Sequence, residues 1–354
     1  MESQYKMMKI KKNNLKLLLI VLIWLNCNGV FSSCTKSNLK EDEKYIYDSN
    51  YNISTSKMHF RDPFIYVDTE NRCYDLITTS MENGLGELVA YTSKDLKFWK
   101  KLGVVYKAPS SYLGTKDWWA ADLYKWQGSY YVFVTVSGND IKRGTTILKA
   151  TDDVSGPYRP VLPDDELNVT PSNMDCLDGS LYVDNNGTPW IIFSHEWLEC
   201  YDGEIYAQKL KKDLSGTEGA PIYLFKASDA QWSCSTGVQN GNACYVTDAP
   251  FIWKDEISGN LIILWSSFSK INGTLKYAFG QAISKTGSIK GPWIQASQPL
   301  NTDDGGHAMI FKDLDGNLRI SYHSPNSYVS EDSQPTITIK NVTIQDGKIV
   351  LLSQ

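Results

Sequence analysis

DGSLYVDNNGTPWIIFSHE, residues 178–196, reads as two short strands joined by a turn. Asn186-Gly187 marks the turn, and the run from Pro189 to His195 is rich in β-branched and aromatic residues. The same pattern returns at Asp62 (DPFIYVDTENRCYDLITTS), Asp122 (DLYKWQGSYYVFVTV), Asp248 (DAPFIWKDEISGNLIILWSS) and His307 (HAMIFKDLDGNLRISYHSP). The five copies follow one another at intervals of about 60 residues. An aromatic side chain stands four positions after the first residue at Tyr66, Trp126, Tyr182 and Phe311, and five positions after it at Trp253. Units that repeat in this way bury their faces against their neighbours.

Each unit continues into further elements. Ser93-Lys94-Asp95-Leu96 precedes Trp99, Thr151-Asp152-Asp153 leads to Ser155-Gly156-Pro157-Tyr158, Lys212-Asp213-Leu214 follows the third unit, and Ser284-Lys285 leads to Gly291-Pro292-Trp293. About four strands per unit is the make-up of a β-propeller blade. Long amphipathic helical patterns are absent from the sequence. The expectation is an all-β, five-bladed β-propeller forming a single domain over residues 55–354, with TITIKNVTIQDGKIVLL finishing the ring. A double β-sandwich would leave the five aligned units unexplained. In a ring, Asp62, Asp122, Asp178, Asp248 and His307 would converge on the axis as an acid-rich pocket.

The amino terminus reads as a targeting segment. Lys6, Lys9, Lys11, Lys12 and Lys16 precede an apolar stretch, Leu15 to Leu25, that is short for a membrane span. Phe31-Ser32-Ser33-Cys34 then resembles the end of a bacterial lipoprotein signal. Residues 1–33 would be the signal peptide, Cys34 the lipidated first residue of the mature chain, and 34–54 a flexible tether. An ordinary cleaved signal peptide is the alternative. The protein is thus expected to be exported and lipid-anchored to a bacterial cell envelope.

A net charge of −5 provides no electrostatic footprint for nucleic acid. The aromatic share of 12% fits sheet packing as well as sugar-stacking surfaces. Cys234 and Cys244 flank a Gly/Asn-rich loop and could pair in an oxidising compartment. No Cys/His spacing suggests zinc. The four His, at 59, 195, 307 and 323, are scattered.

Five motifs in order now carry a resemblance. Arg61-Asp62-Pro63-Phe64-Ile65, Trp118-Trp119-Ala120-Ala121-Asp122-Leu123, Leu177-Asp178-Gly179-Ser180, Thr247-Asp248-Ala249-Pro250-Phe251 and Gly305-Gly306-His307 resemble glycoside hydrolase family 43 over roughly residues 55–325. That resemblance implies a five-bladed propeller that hydrolyses glycosidic bonds with inversion. Such a reaction needs a carboxylate to activate water and a carboxylic acid to protonate the leaving oxygen. By position, Asp62 resembles the general base and Asp178 the carboxylate that orients the acid and tunes its pKa.

The acid is where this chain departs from the family pattern, which has Glu where Asp248 stands. Asp248 could still serve with a shifted backbone. Glu196, in Ser194-His195-Glu196-Trp197, could take the role instead. Or the acid is lost and the protein binds glycans without cleaving them. Trp118, Trp119 and Trp197 are candidates for sugar stacking, and Arg143 for hydrogen bonds to substrate hydroxyls. His307 resembles an axial histidine that in some relatives faces a cation, so calcium is possible but not required. The expected substrate is an oligo- or polysaccharide, and the expected activity an exo-acting α-L-arabinofuranosidase, with β-xylosidase and galactan-directed hydrolysis as alternatives on the same scaffold. Fructan-cleaving propellers begin with an Asn-Asp-Pro-Asn motif that this chain lacks.

Overall fold

The computed structural model describes residues 50–352, apart from 83–84, 151–152, 329 and 331–332. The expected signal peptide, Cys34 and the tether up to residue 49 lie outside the described residues.

The described chain is all-β, and five blades follow one another in sequence order. From the axis outward, blade I comprises Tyr66–Asp68, Cys73–Glu82, Leu85–Ser93 and Phe98–Lys107, with Ile53–Ser54 added at its outer edge. Blade II comprises Lys116–Trp126, Ser129–Gly138, Ile141–Ala150 and Arg159–Pro160. Blade III comprises Cys176–Val183, Pro189–His195, Glu204–Leu210 and Thr217–Lys226. Blade IV comprises Asp248–Lys254, Leu261–Ile271, Thr274–Ser284 and Ile294–Gln295. Blade V comprises Gly306–Lys312, Leu318–Ser324, Thr336–Gln345 and Lys348–Leu351. Each repeated segment supplies the two inner strands of one blade, and the C-terminal run supplies the outer pair of blade V. Blade V meets blade I through side chains: Ser321 Oγ donates to the Pro63 carbonyl at 2.8 Å, and Tyr74 Oη accepts from the Leu314 amide at 3.0 Å.

Aromatic side chains fill the blades and the seams between them. Trp99, Phe133, Phe193, Trp265, Phe279 and Tyr322 are fully buried. Burying a large apolar side chain contributes about 1.5–3 kcal/mol, so most of the aromatic richness is explained by packing. The wider interval between the third and fourth units holds an extra hairpin, Gly237–Gln239 with Asn242–Cys244. The pairing expected of Cys234 and Cys244 is not formed, since both thiols are free.

One local feature aims the site. At the axial end of each inner segment a non-glycine residue takes a left-handed backbone: Asp62 (φ 55°), Ala120 (43°), Asp178 (53°), Ala249 (52°) and His307 (55°). In blades II to V a register irregularity falls at the same place, bracketed by Trp119/Ala121, Leu177/Ser180, Asp248/Phe251 and Gly306/Met309. Such bulges re-aim side chains beside active sites. A non-glycine residue held there costs about 1–3 kcal/mol. These kinks correct the sequence alignment of the repeats. Asp62, Asp178 and His307 occupy the kink itself, whereas Asp248 stands one residue before it and Asp122 two residues after it.

Candidate active site

His307 is the hub of the axial cluster. Its Nδ1 lies 3.1 Å from Asp62 Oδ1 and 3.9 Å from Asp178 Oδ2. Its amide donates to Ser266 Oγ at 2.9 Å, which holds the kinked residue in place. Burial works against an imidazolium here, but Asp62, Asp178 and Asp122 outweigh it and push the His307 pKa up to about 10. His307 is therefore a cation at neutral pH.

Asp62 is held by a second imidazole that sequence reading missed. His323 is fully buried, and its Nδ1 lies 3.1 Å from Asp62 Oδ1. The Asp62 amide also reaches His323 Nδ1 at 3.2 Å, and His323 Nε2 contacts Asn326 Oδ1 at 3.3 Å. Burial alone would raise the Asp62 carboxyl, but the charge and hydrogen bond of His307, followed by those of His323, hold it well below the usual carboxylate range. The carboxylate is therefore its favoured form.

The opposite holds for Asp248. Burial, then Asp178 and Glu196, push its carboxyl well above the ordinary value, against the hydrogen bond from Tyr277 and the charge of His307. Tyr277 Oη donates to Asp248 Oδ2 at 2.8 Å. Asp178 is a third axial carboxyl. It accepts from the Ala249 amide at 3.0 Å through Oδ2, and its own amide donates to Thr135 Oγ1 at 2.8 Å. Burial raises its pKa, His307 opposes this, and Asp62 adds to it.

Glu196 follows the second strand of blade III directly and is only 6% exposed. Its Oε2 lies 2.5 Å from Arg143 Nη1. Burial raises its pKa, Arg143 lowers it and Asp178 raises it, with a net rise. A guanidinium keeps its charge, so Arg143 and Glu196 form a buried charge-assisted contact in which burial and Asp178 still hold the carboxyl above its ordinary value. Asp122 is a further axial carboxyl: burial pushes it up to about 7 against His307 and the Tyr124 hydroxyl. Tyr124 Oη donates to its Oδ2 at 2.9 Å, while Oδ1 is buried without a partner.

The expected sugar-binding residues divide. Trp118 is 3% exposed, donates through Nε1 to the Gly114 carbonyl and packs against Tyr106, so it is a core residue and not a sugar platform. Trp119, next in the strand, is 42% exposed and points the other way. The Arg143 guanidinium lies over its ring, 4.5 Å from the centroid. Arg143 is also paired with Asp117 at 3.3 Å, so Glu196 and Asp117 occupy the group expected to bind substrate hydroxyls. Trp197 opens the short helix Trp197–Cys200 beside Glu196 and is half-buried. A cavity of about 200 Å³ next to Asp62 is lined by Phe60, Arg61, Thr78, Thr79, Trp119 and Ala121, among others. Arg61 at its edge is held by Asn326 Oδ1 at 2.5 Å.

Calcium takes six to eight oxygen ligands. Among the described residues, the metal-ligating groups that come within 4.8 Å of one another are His195, Cys200 and Glu204, and Asp68, Cys73 and Asp75; neither set includes an axial residue. A cationic His307 at the centre opposes a second cation held directly by the axial side chains.

A propeller axis carrying one carboxyl held low and another held high by their neighbours is the arrangement acid–base hydrolases use. The family Glycosyl hydrolases family 43 matches residues 51–349, and the chain belongs to it. The solved structure of an endo-arabinase from Bacteroides thetaiotaomicron is 48% identical, covers 84% of this chain and 99% of its own, and superposes with a TM-score of 0.76. An endo-1,4-beta-xylanase from the same organism, 22% identical with a TM-score of 0.64 over 86% of this chain and 96% of its own, shares the fold. A curated relative, the extracellular endo-alpha-(1->5)-L-arabinanase 1 of Bacillus subtilis, is 24% identical over 228 residues. That match spans 60% of this chain and 62% of the relative, less than two thirds of its length.

Proposed function

We propose that this protein is an inverting glycoside hydrolase that cleaves arabinan within the chain. The contrast that carries the chemistry is between Asp62, whose carboxyl two imidazoles hold low, and Asp248, whose carboxyl burial and neighbouring carboxylates hold high. Asp62 takes a proton from water as that water attacks the anomeric carbon. Asp248 gives its proton to the departing glycosidic oxygen. Asp178, hydrogen-bonded to the amide that follows Asp248, orients the acid and keeps its pKa high. Each of the two proton transfers contributes roughly 10²–10⁴-fold.

The arabinan assignment is supported by the endo-arabinase relative, which matches nearly end to end, and by the curated arabinanase. Both are endo-acting, and this favours internal cleavage over the exo-acting arabinofuranosidase activity expected from the motifs. A second reading has Glu196 as acid: it is one methylene longer than Asp248, and burial raises its pKa. In that case Arg143 would stabilise the carboxylate left after proton transfer.

The test is to incubate the protein, without residues 1–49, with linear arabinan and with an aryl α-L-arabinofuranoside, following products by NMR. Inverted oligosaccharides from arabinan with little attack on the aryl glycoside are expected. No release from either, with glycan binding retained, would replace the hydrolase by a binding protein. Export is supported by the basic and apolar start of the chain and by the extracellular relative. Lipid attachment at Cys34 is part of the same proposal, and mass spectrometry of the membrane-extracted protein tests it.

A further inference from the structure

Tyr277 belongs to none of the five motifs, yet it touches both halves of the site. It lies on the third strand of blade IV, Thr274–Ser284. Its hydroxyl donates to Asp248 Oδ2 at 2.8 Å. Its ring stacks on His323, with centroids 5.8 Å apart and planes 17° from parallel. His323 is the fully buried imidazole 3.1 Å from Asp62 Oδ1.

The surroundings fix this ring. The Tyr277 amide donates to Asp304 Oδ1 at 2.9 Å, and Phe268 packs at 5.3 Å. Gly306 leaves the space: a Cβ there would lie 2.1 Å from Tyr277 Cε1. The residue before axial His307 is thus small because the tyrosine occupies the place of its side chain.

We propose that Tyr277 is a positioning residue shared by the two working carboxylates, its hydroxyl holding Asp248 and its ring bracing the imidazole that holds Asp62. It touches no reacting atom; it acts through those partners. This rests on the roles proposed above for Asp62 and Asp248. An aspartate is shorter than the family's glutamate, and an anchor that fixes one oxygen sets where the other can present a proton. A displacement of about 1 Å can cost 10²-fold in rate.

The two contacts are separable. Tyr277→Phe keeps the stack and removes the hydroxyl; Tyr277→Leu removes both. The groups facing Asp248 are Asp178, Glu196, His307 and Tyr277, and of these Tyr277 donates a hydrogen bond that favours the ionised form. Tyr277→Phe should therefore raise the Asp248 pKa further and move the alkaline limb of the kcat/KM profile to higher pH. The acid limb, set by Asp62, should stay in place. Asp62 faces His307 and His323, with Asp122 and Asp178 also at the axis, and His323 helps keep it ionised. Tyr277→Leu should therefore move the acid limb as well, to higher pH. For Tyr277→Phe, kcat on arabinan should fall about 10–100-fold with KM nearly unchanged.

Carboxyl ¹³C NMR titration of the aspartates, assigned with Asp62→Asn and Asp248→Asn, reads the same shifts without any substrate. Movement of the Asp248 resonance alone in Tyr277→Phe, and of both in Tyr277→Leu, supports the proposal. Wild-type titrations in both folded variants overturn it. A wild-type protein that cleaves no glycan overturns the proposed reaction, while the NMR titrations still decide whether Tyr277 holds the two carboxyls.

Discussion

His307 Nδ1 lies 3.1 Å from Asp62 Oδ1, and the two residues occupy equivalent kinks in blades V and I. The contact holds the carboxyl of one well below the usual range and makes the other a cation at neutral pH. It also closes the ring at the axis, because blade I and blade V are the first and last blades.

Asp62→Asn should abolish hydrolysis, with a loss of about 10²–10⁴-fold, and should leave the circular dichroism spectrum unchanged. The amide keeps the shape and cannot accept the proton. Appreciable turnover of arabinan by this variant would remove Asp62 from the role of base.

Asp248→Asn and Glu196→Gln separate the two acid candidates. Loss of the true acid should cost about 10²–10⁴-fold on a substrate with a poor leaving group and far less on one with a good leaving group. We expect that selective pattern for Asp248→Asn, measured as kcat/KM on arabinan against an activated aryl arabino-oligosaccharide. Glu196→Gln should affect both substrates equally, because it disturbs the Arg143 pair and the shape of the cleft. The reverse pattern would assign the acid to Glu196.

The two adjacent tryptophans should respond differently. Trp118→Ala should destabilise the fold by about 3–5 kcal/mol, read by denaturant titration, because a buried indole is replaced by a cavity. Trp119→Ala should leave stability within about 0.5 kcal/mol. It should instead raise KM for arabinan roughly 5–30-fold, equivalent to about 1–2 kcal/mol of stacking.

Two of the raised groups, His307 and Asp122, give the pH dependence of stability a defined sign. A His307 pKa of about 10 lies above the ordinary histidine value of about 6.5. Its contribution is therefore complete below pH ~6.5 and is lost as pH rises through about 10. Asp122, pushed up to about 7, resists ionisation, so it too favours the fold at low pH and loses that advantage as pH rises from ~4 to about 7. Thermal melts should show Tm falling between neutral pH and pH 10. Asp122→Asn should gain on the wild type between pH 5 and pH 8. A constant difference across that range would show that Asp122 does not titrate there.

Much of this was legible in the chain. Alternating apolar residues and Asn-Gly or Asp-Gly turns are local signals, since strand periodicity and hairpin geometry depend on residues close in sequence. Their fivefold recurrence determined the propeller, and the position of Asp62, Asp178 and His307 within the recurrence determined that they would meet. What recurrence could not supply was the register within each kink. Asp248 and Asp122 were aligned with the other three, yet each is displaced from the left-handed residue by one or two positions, because a bulge adds a residue without changing the pattern around it.

The remaining features depend on contacts between blades. Trp118 and Trp119 are adjacent and chemically identical, and only the pleat decides that one enters the core and the other faces the cleft. Arg143, free by sequence, is engaged by Glu196 and Asp117, which lie 53 and 26 residues away along the chain. His323 and Tyr277 reach the site from a second and a third strand, where no motif marks them. Sequence by itself determined the strands, their repetition and three of the axial residues, since these follow from local pattern. The protonation states of Asp62, Asp248 and His307 were decided by tertiary structure alone, because each is set by burial and by charges brought together from different blades.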